Sequence, residues 1–190
     1  MAAAVAAAGV FLFSGSAVAC AEERRGAGLA LRCAFDVAAA PDAVWNAFAA
    51  TDEPRPYYFD AVLQADLRPG GRWRFVTEDR SRLLAAGKIL AFEPRRRFAQ
   101  TFAAADLDEA PSRVTVELAA VPGGTRVELV HDGFAGETVT FRRFRRAHPL
   151  VLSAMKAVLE TGELPVRARI YTAIFKPGMN RVAARAEPWG

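Results

Sequence analysis

The chain has 190 residues, 52% of them hydrophobic and 24% charged, with 25 Lys and Arg against 21 Asp and Glu for a net charge of +4. That length supports one domain with a sizeable core, and that balance excludes a disordered chain. The basic excess is almost all arginine, since Lys88, Lys156 and Lys176 are the only lysines; it permits acidic partners without requiring one, and nucleic acid is not an expected partner.

Residues 1–21 carry no charged side chain, and Ala17-Val18-Ala19 ahead of Cys20 has the small-residue pattern of a cleavage site. No Lys or Arg precedes the apolar run Val10-Phe11-Leu12-Phe13, as an export signal normally requires, and the run is too short and Ala-rich for a membrane span. Three readings stand: an export signal, an extension, or an over-extended start of translation. In each, residues 1–27 fall outside the fold. The location expected is cytoplasmic, or periplasmic or secreted if residues 1–19 are a cleaved signal. Cys20 and Cys33 form no C-x-x-C pair, and with His131 and His148 far apart in sequence no metal site is expected. A disulfide between them is open but not required, and no cofactor is expected.

In chain order, Leu29–Val37 alternates as a first strand with Leu31, Cys33, Phe35 and Val37 on one face. Pro41-Asp42 starts a helix carrying Val44, Trp45 and Phe48, and Asp52-Glu53-Pro54 starts a second short helix ending at Tyr57-Tyr58-Phe59. Strands follow at 61–66, 72–77, 87–93, 97–103, 112–121 and 125–131, with Pro122-Gly123-Gly124 the clearest hairpin turn. Pro149 then opens a terminal helix on which Val151, Leu152, Met155, Val158 and Leu159 recur at helical spacing, and Gly162 supplies the left-handed stop. A lone amphipathic helix after a run of strands buries its stripe against the sheet. Residues 163–190 have no clean period and read as an extension over the surface.

Alternation also sets the faces. Val114, Val116 and Leu118 share one; so do Val127, Leu129 and His131; Gln100 lies between Phe98 and Phe102, and Trp73 is in phase with Phe75. The inner surface is therefore aromatic with a few polar groups, which suits a small-molecule cavity as well as a plain core. Phe141-Arg142-Arg143-Phe144-Arg145-Arg146 reads as two packing phenylalanines between solvated arginines, and Arg95-Arg96-Arg97 as a solvated turn.

The motifs Phe35-Asp36-Val37, Pro41-Asp42-Ala43-Val44-Trp45-Asn46-Ala47-Phe48, Arg68-Pro69-Gly70-Gly71-Arg72-Trp73-Arg74-Phe75, Ser112–Leu118, Leu129–Phe134 and Pro149–Gly162 stand in this order. In that order they resemble the SRPBCC (START-like) superfamily, and within it the branch named for activators of the heat-shock chaperone ATPase. The resemblance covers residues 29–162. It implies an α+β helix-grip fold: a curved antiparallel sheet of about six to seven strands around a long C-terminal helix. Residues 28–162 form that domain, flanked by segments 1–27 and 163–190. The chain departs at Ala147-His148, where many relatives carry Gly-Trp.

That architecture implies a cavity between helix and sheet and a small apolar ligand. The lining candidates are Trp45, Tyr58, Trp73, Phe75, Phe98, Gln100, Phe102, Val116, Leu129, His131, Phe134, Val151, Met155 and Val158. No residue is assigned a catalytic role in this carrier or sensor. The alternative is a polyketide cyclase or hydrolase using His131 and Asp132 with Tyr57 or Tyr58 as acid–base groups. A third is a chaperone-associated module, although no second chaperone-binding domain is present in the sequence and a chaperone partner is not expected. A homodimer is left open.

Overall fold

The computed structural model describes residues 17–26 and 28–189. The elements are β1 (Ala19–Arg25), β2 (Gly28–Val37), α1 (Pro41–Ala49), the two-residue β3 (Pro54–Arg55) and a single 3₁₀ turn (Pro56–Tyr58). They continue with β4 (Ala61–Ala65), β5 (Arg72–Val76), β6 (Arg82–Glu93), β7 (Arg97–Ala104), β8 (Ser112–Val121) and β9 (Gly124–Phe134). The chain closes with α2 (Val139–Thr161), α3 (Val166–Val182) and β10 (Ala184–Arg185). One antiparallel sheet runs in the order β1-β2-β9-β8-β7-β6-β5-β4-β3, with β10 added beside β6. Sequence neighbours pair by hairpins, and two long-range pairings join β10 to β6 and β2 to β9, the latter with Leu31 opposite His131 and Phe35 opposite Val127.

The sheet has ten strands rather than six or seven. The additions are edge or two-residue pieces with no alternation of their own. β1 is the largest of these corrections, because it lies inside the segment expected outside the fold. Its sequence, Ala-Cys-Ala-Glu-Glu-Arg-Arg, is charged over its second half, as an edge strand that must resist pairing with other chains often is. Cys20 stands directly opposite Cys33 in the β1–β2 register, and the two form a disulfide. Closing a loop of this size contributes roughly 3 kcal/mol in a chain-entropy account. The ion pairs Glu23–Arg32 and Glu22–Arg145 are exposed and contribute little by comparison.

α2 starts ten residues before Pro149, not at it. The Thr138 hydroxyl accepts from the Phe141 N–H at 3.1 Å, and the Glu109 carboxylate accepts from the Val139 and Thr140 N–H groups at 2.7 and 3.1 Å. Three of the orphan donors of the first turn are thus satisfied, so the helix has no need of proline as its start. Pro149 sits inside the helix and withholds one N–H from the ladder. At the other end Gly162 takes φ 76°, the left-handed stop its position predicts. Glu160 accepts from the Ala38 N–H at 2.9 Å, and Lys156 donates to the Asp36 carbonyl at 2.5 Å, tying this end to the end of β2.

The second expected helix is reduced to the 3₁₀ turn. The tail 163–190, expected as an irregular extension, holds α3 and β10. Lys176 ties α3 to Asp60 and Glu78, and Tyr171 packs on Phe59 with ring centroids 5.7 Å apart. No helix among the described residues is long and apolar enough to cross a membrane.

The core lies between the concave sheet face and α2, with α1 closing one end. Leu31, Cys33 and Phe35 from β2, Val127 and Leu129 from β9, and Phe98 and Phe102 from β7 meet Phe141, Phe144, Leu152 and Met155 from α2. Phe141 and Phe144 are buried, while Arg143 pairs with Asp106 and Arg145 with Glu22, so the Phe-Arg run divides its faces as its spacing predicts. The β6–β7 ladder is interrupted between Ala86–Ala103 and Ile89–Gln100. There the Trp73 indole N–H donates to the Thr101 carbonyl at 2.9 Å, and the Thr101 hydroxyl accepts from the Lys88 N–H at 2.9 Å. The indole crosses over Gly87, where an added Cβ would lie 2.1 Å from the Thr101 carbonyl oxygen and 2.7 Å from the indole nitrogen. Only glycine allows that crossing.

Candidate functional site

A cavity of about 110 Å³ lies between α2 and the sheet. Phe98, Gln100 and Phe102 of β7, Val114 and Val116 of β8 and Leu129 of β9 form its floor. Phe144, Ala147, His148, Val151, Leu152 and Met155 of α2 form its roof, at the helical spacing that puts all six on one face. Ala47 and Phe48 of α1, Arg55, Tyr57, Tyr58, Leu63 and Phe75 complete the wall. Tyr57 and Val151 also line a neighbouring groove of about 310 Å³ between α2 and α3, so these two side chains partition the spaces.

The wall is apolar except at a few groups. Arg55 is buried, and it donates from Nε to the Ala47 carbonyl at 3.1 Å and from Nη2 to the Phe48 and Ala50 carbonyls at 3.2 and 2.6 Å. It therefore caps the end of α1, where the helix dipole favours a cation. Its guanidinium lies 5.2 Å from the Phe75 ring centroid, and burial lowers its pKa. Arg55 Nη1 and Gln100 Oε1 are buried with no hydrogen-bond partner. The Tyr57 hydroxyl donates to the Ala47 carbonyl at 2.6 Å. Burial raises the Tyr57 pKa and pushes Tyr58 up to about 12, so both phenols stay protonated at neutral pH.

In the roof of the cavity His148 meets His131, which lies behind it. His131 Nδ1 lies 3.0 Å from His148 Nε2, and His131 Nε2 lies 2.7 Å from the Ser112 hydroxyl. Phe102, Phe134 and Phe144 surround His131 with centroids 5.6, 4.5 and 4.8 Å away. Burial, and then the neighbouring His148, holds the His131 pKa well below the usual range, and burial alone takes His148 down to about 3. Both rings are therefore neutral, and the contact between them holds a single proton. The histidine that replaces the tryptophan of many relatives is thus the hydrogen-bond partner of the in-phase His131. Among the described residues no group of three or more His, Cys, Asp or Glu could hold a metal ion.

Of the fourteen expected lining residues, Tyr58, Phe75, Phe98, Gln100, Phe102, Val116, Leu129, Val151 and Met155 line the cavity, and five do not. Trp45 is packed on Phe92 and Phe98, Trp73 on Phe75 and Phe102, and Phe134 on Phe141. His131 is sealed behind Phe102 and Phe144, and Val158 is half-buried outside the core. Trp73, His131 and Phe134 share the inner parity of their strands, but packed rings cover them. The alternative acid–base pair is not assembled either. Asp132, next along β9, points to the outer face, where Arg113 grips it at 2.8 Å through two nitrogens. Val114 shares the alternation of Val116, and Phe144 and His148 fall on the α2 stripe once the helix is extended back to Val139. Arg55, a single arginine between two prolines, carries no sequence signal of its role.

The model of the Activator of Hsp90 ATPase homolog 1-like protein family matches residues 38–160. Similar solved structures include CalU16 from Micromonospora echinospora, at 20% identity and TM-score 0.58 over 87% of this chain and 96% of that one. A conserved protein of unknown function from Enterococcus faecalis gives 13% identity and TM-score 0.60, covering 86% and 91% of the two chains. The Aha1 dimer of Colwellia psychrerythraea gives 15% and 0.58, covering 70% and 98%. At these identities the likeness is one of fold. No curated protein matches the chain.

Proposed function

We propose that this chain, which belongs to the Activator of Hsp90 ATPase homolog 1-like family, binds a small, mainly apolar molecule between α2 and the sheet as a carrier or sensor. The observation that carries this reading is a cavity walled by aromatic and aliphatic side chains with a few polar groups among them. At about 110 Å³ it suits one ring or a short chain, since an engineered cavity of about 150 Å³ accepts benzene. A larger guest would displace Tyr57 or Val151 and enter the groove under α3. Protein isolated under native conditions is expected to carry a bound molecule, seen by mass spectrometry above the 20.5 kDa chain and lost on denaturation. Ala147→Phe, which fills the roof, is expected to carry none. A bare wild-type chain sinks the reading.

Cyclase or hydrolase chemistry has less support, because Asp132 faces away from the cavity and His131 and Ser112 are sealed from it. The Cys20–Cys33 disulfide favours the exported location over the cytoplasmic one, since disulfides persist in oxidising compartments. Rapid alkylation of intact cells expressing the chain is expected to leave both cysteines unmodified. Modification of both would return the protein to a reducing compartment.

A further inference from the structure

Among the described residues the four most exposed large apolar side chains all belong to α3: Ile174 at 65%, Val166 at 63%, Ile170 at 55% and Phe175 at 48%. Val166, Ile170 and Ile174 stand four residues apart, so they form one stripe along the helix. The other side of the helix meets the fold. Tyr171 packs on Phe59, Lys176 pairs with Asp60 and Glu78, and Ala168 and Thr172 face the groove beside α2. Charge is just as one-sided. Arg167, Arg169, Lys176, Arg181 and Arg185 stand between Glu163 and Glu187 with no acidic residue among them. Arg167 and Arg169 are exposed and border the stripe on its two sides, and no carboxylate among the described residues pairs with either.

We propose that α3 is an interfacial helix that lies on an anionic lipid surface, with the Val166-Ile170-Ile174 stripe turned into the headgroup layer and Arg167 and Arg169 on the lipid phosphates. An apolar stripe bordered by arginines, on a segment free of acidic residues, is the composition that such a position rewards. The helix lies on the surface and does not cross it, since no helix among the described residues is long and apolar enough to span. A second copy of this chain fits the face poorly. A two-fold contact would set the same arginines against one another with no carboxylate to balance them. A groove on another protein would have to place an acidic group opposite each arginine, whereas a bilayer offers negative charge on both sides of the helix at once. This face is separate from the cavity, so its partner does not depend on what the cavity holds.

The test is flotation of the full chain, disulfide intact, with vesicles of phosphatidylcholine alone and of phosphatidylcholine mixed with an equal amount of phosphatidylglycerol. The wild-type chain is expected to bind the anionic vesicles at least about tenfold more tightly than the neutral ones, with the difference shrinking in high salt. Ile170→Asp combined with Ile174→Asp is expected to abolish flotation. Arg167→Gln combined with Arg169→Gln is expected to weaken binding to the anionic vesicles at least about tenfold. All four side chains are exposed, so far-UV circular dichroism and the melting temperature should stay at their wild-type values. Should the aspartates unwind α3, the glutamine pair still decides the matter. A wild-type chain that floats with neither vesicle, or equally with both, overturns the assignment. So does a wild-type dimer in sedimentation equilibrium that the aspartate pair dissociates, which would give the face to a second copy.

Discussion

Acidifying the protein from pH 7 to about 4.5 is expected to remove about 2–3 kcal/mol of stability through His148, with His131 acting in the same direction. Both are held neutral, His148 with its pKa near 3 and His131 well below its ordinary value. In the unfolded chain both return to about 6.5. Their folded values are depressed, so the unfolded state binds protons the fold refuses. The contribution is complete above about pH 6.5 and is lost as pH falls towards the folded values, at about 1.4 kcal/mol per pH unit for each ring. The rings near His131 are Phe102, Phe134 and Phe144, and Asp132 is turned away to Arg113, so no carboxylate offsets the charge. Carboxylates titrate at the bottom of this window and below it, so the slope above about pH 5.5 belongs to the histidines. Urea denaturation at a series of pH values reads the effect, and His148→Gln should roughly halve the slope whatever its basal stability. A flat profile between pH 7 and 4.5 would refute the assignment.

Trp73→Ala is the second large effect, expected at about 3–5 kcal/mol. The side chain is 1% exposed and packs edge-on against Phe75 and at a tilt against Phe102, with centroids 5.4 and 5.9 Å away. Its loss opens a cavity and also leaves the Thr101 carbonyl without its donor at the interruption in the β6–β7 ladder. Trp73→Phe restores much of the volume but not the N–H, and is expected to cost less than half as much. Because the indole belongs to a strand pair beside the cavity, the alanine variant should also weaken ligand retention. Chemical denaturation of the two variants separates packing from the hydrogen bond. Equal losses would remove packing from the account, and a Trp73→Phe variant as stable as the wild type would remove the hydrogen bond.

The interior strands were legible from alternation because each is buried on one face, and that condition writes period two into the chain. β2, β5, β7, β8 and β9 lie within a few residues of their expected bounds. β1 was not legible: an edge strand has little to bury, and Glu-Glu-Arg-Arg shows no period to read. The start of α2 was missed for a different reason. Pro149 gave a strong local sign of a helix start, and it was outweighed by caps from Thr138 and Glu109, the latter about thirty residues upstream. In the site, parity identified the face on which Gln100 and His131 lie, but not how far along its strand each sits relative to α2.

The amino-acid sequence alone determined the order of the interior strands along the chain and the hydrophobic stripe of the terminal helix, because these are written in residues two to four positions apart; the family resemblance of its motifs supplied the helix-grip fold. Tertiary structure alone decided that His131 meets His148, that Asp132 turns outward to Arg113, and that Arg55 caps α1 beside the cavity. Those juxtapositions depend on strand register and on where α2 crosses the sheet. Local periodicity carries no term for either.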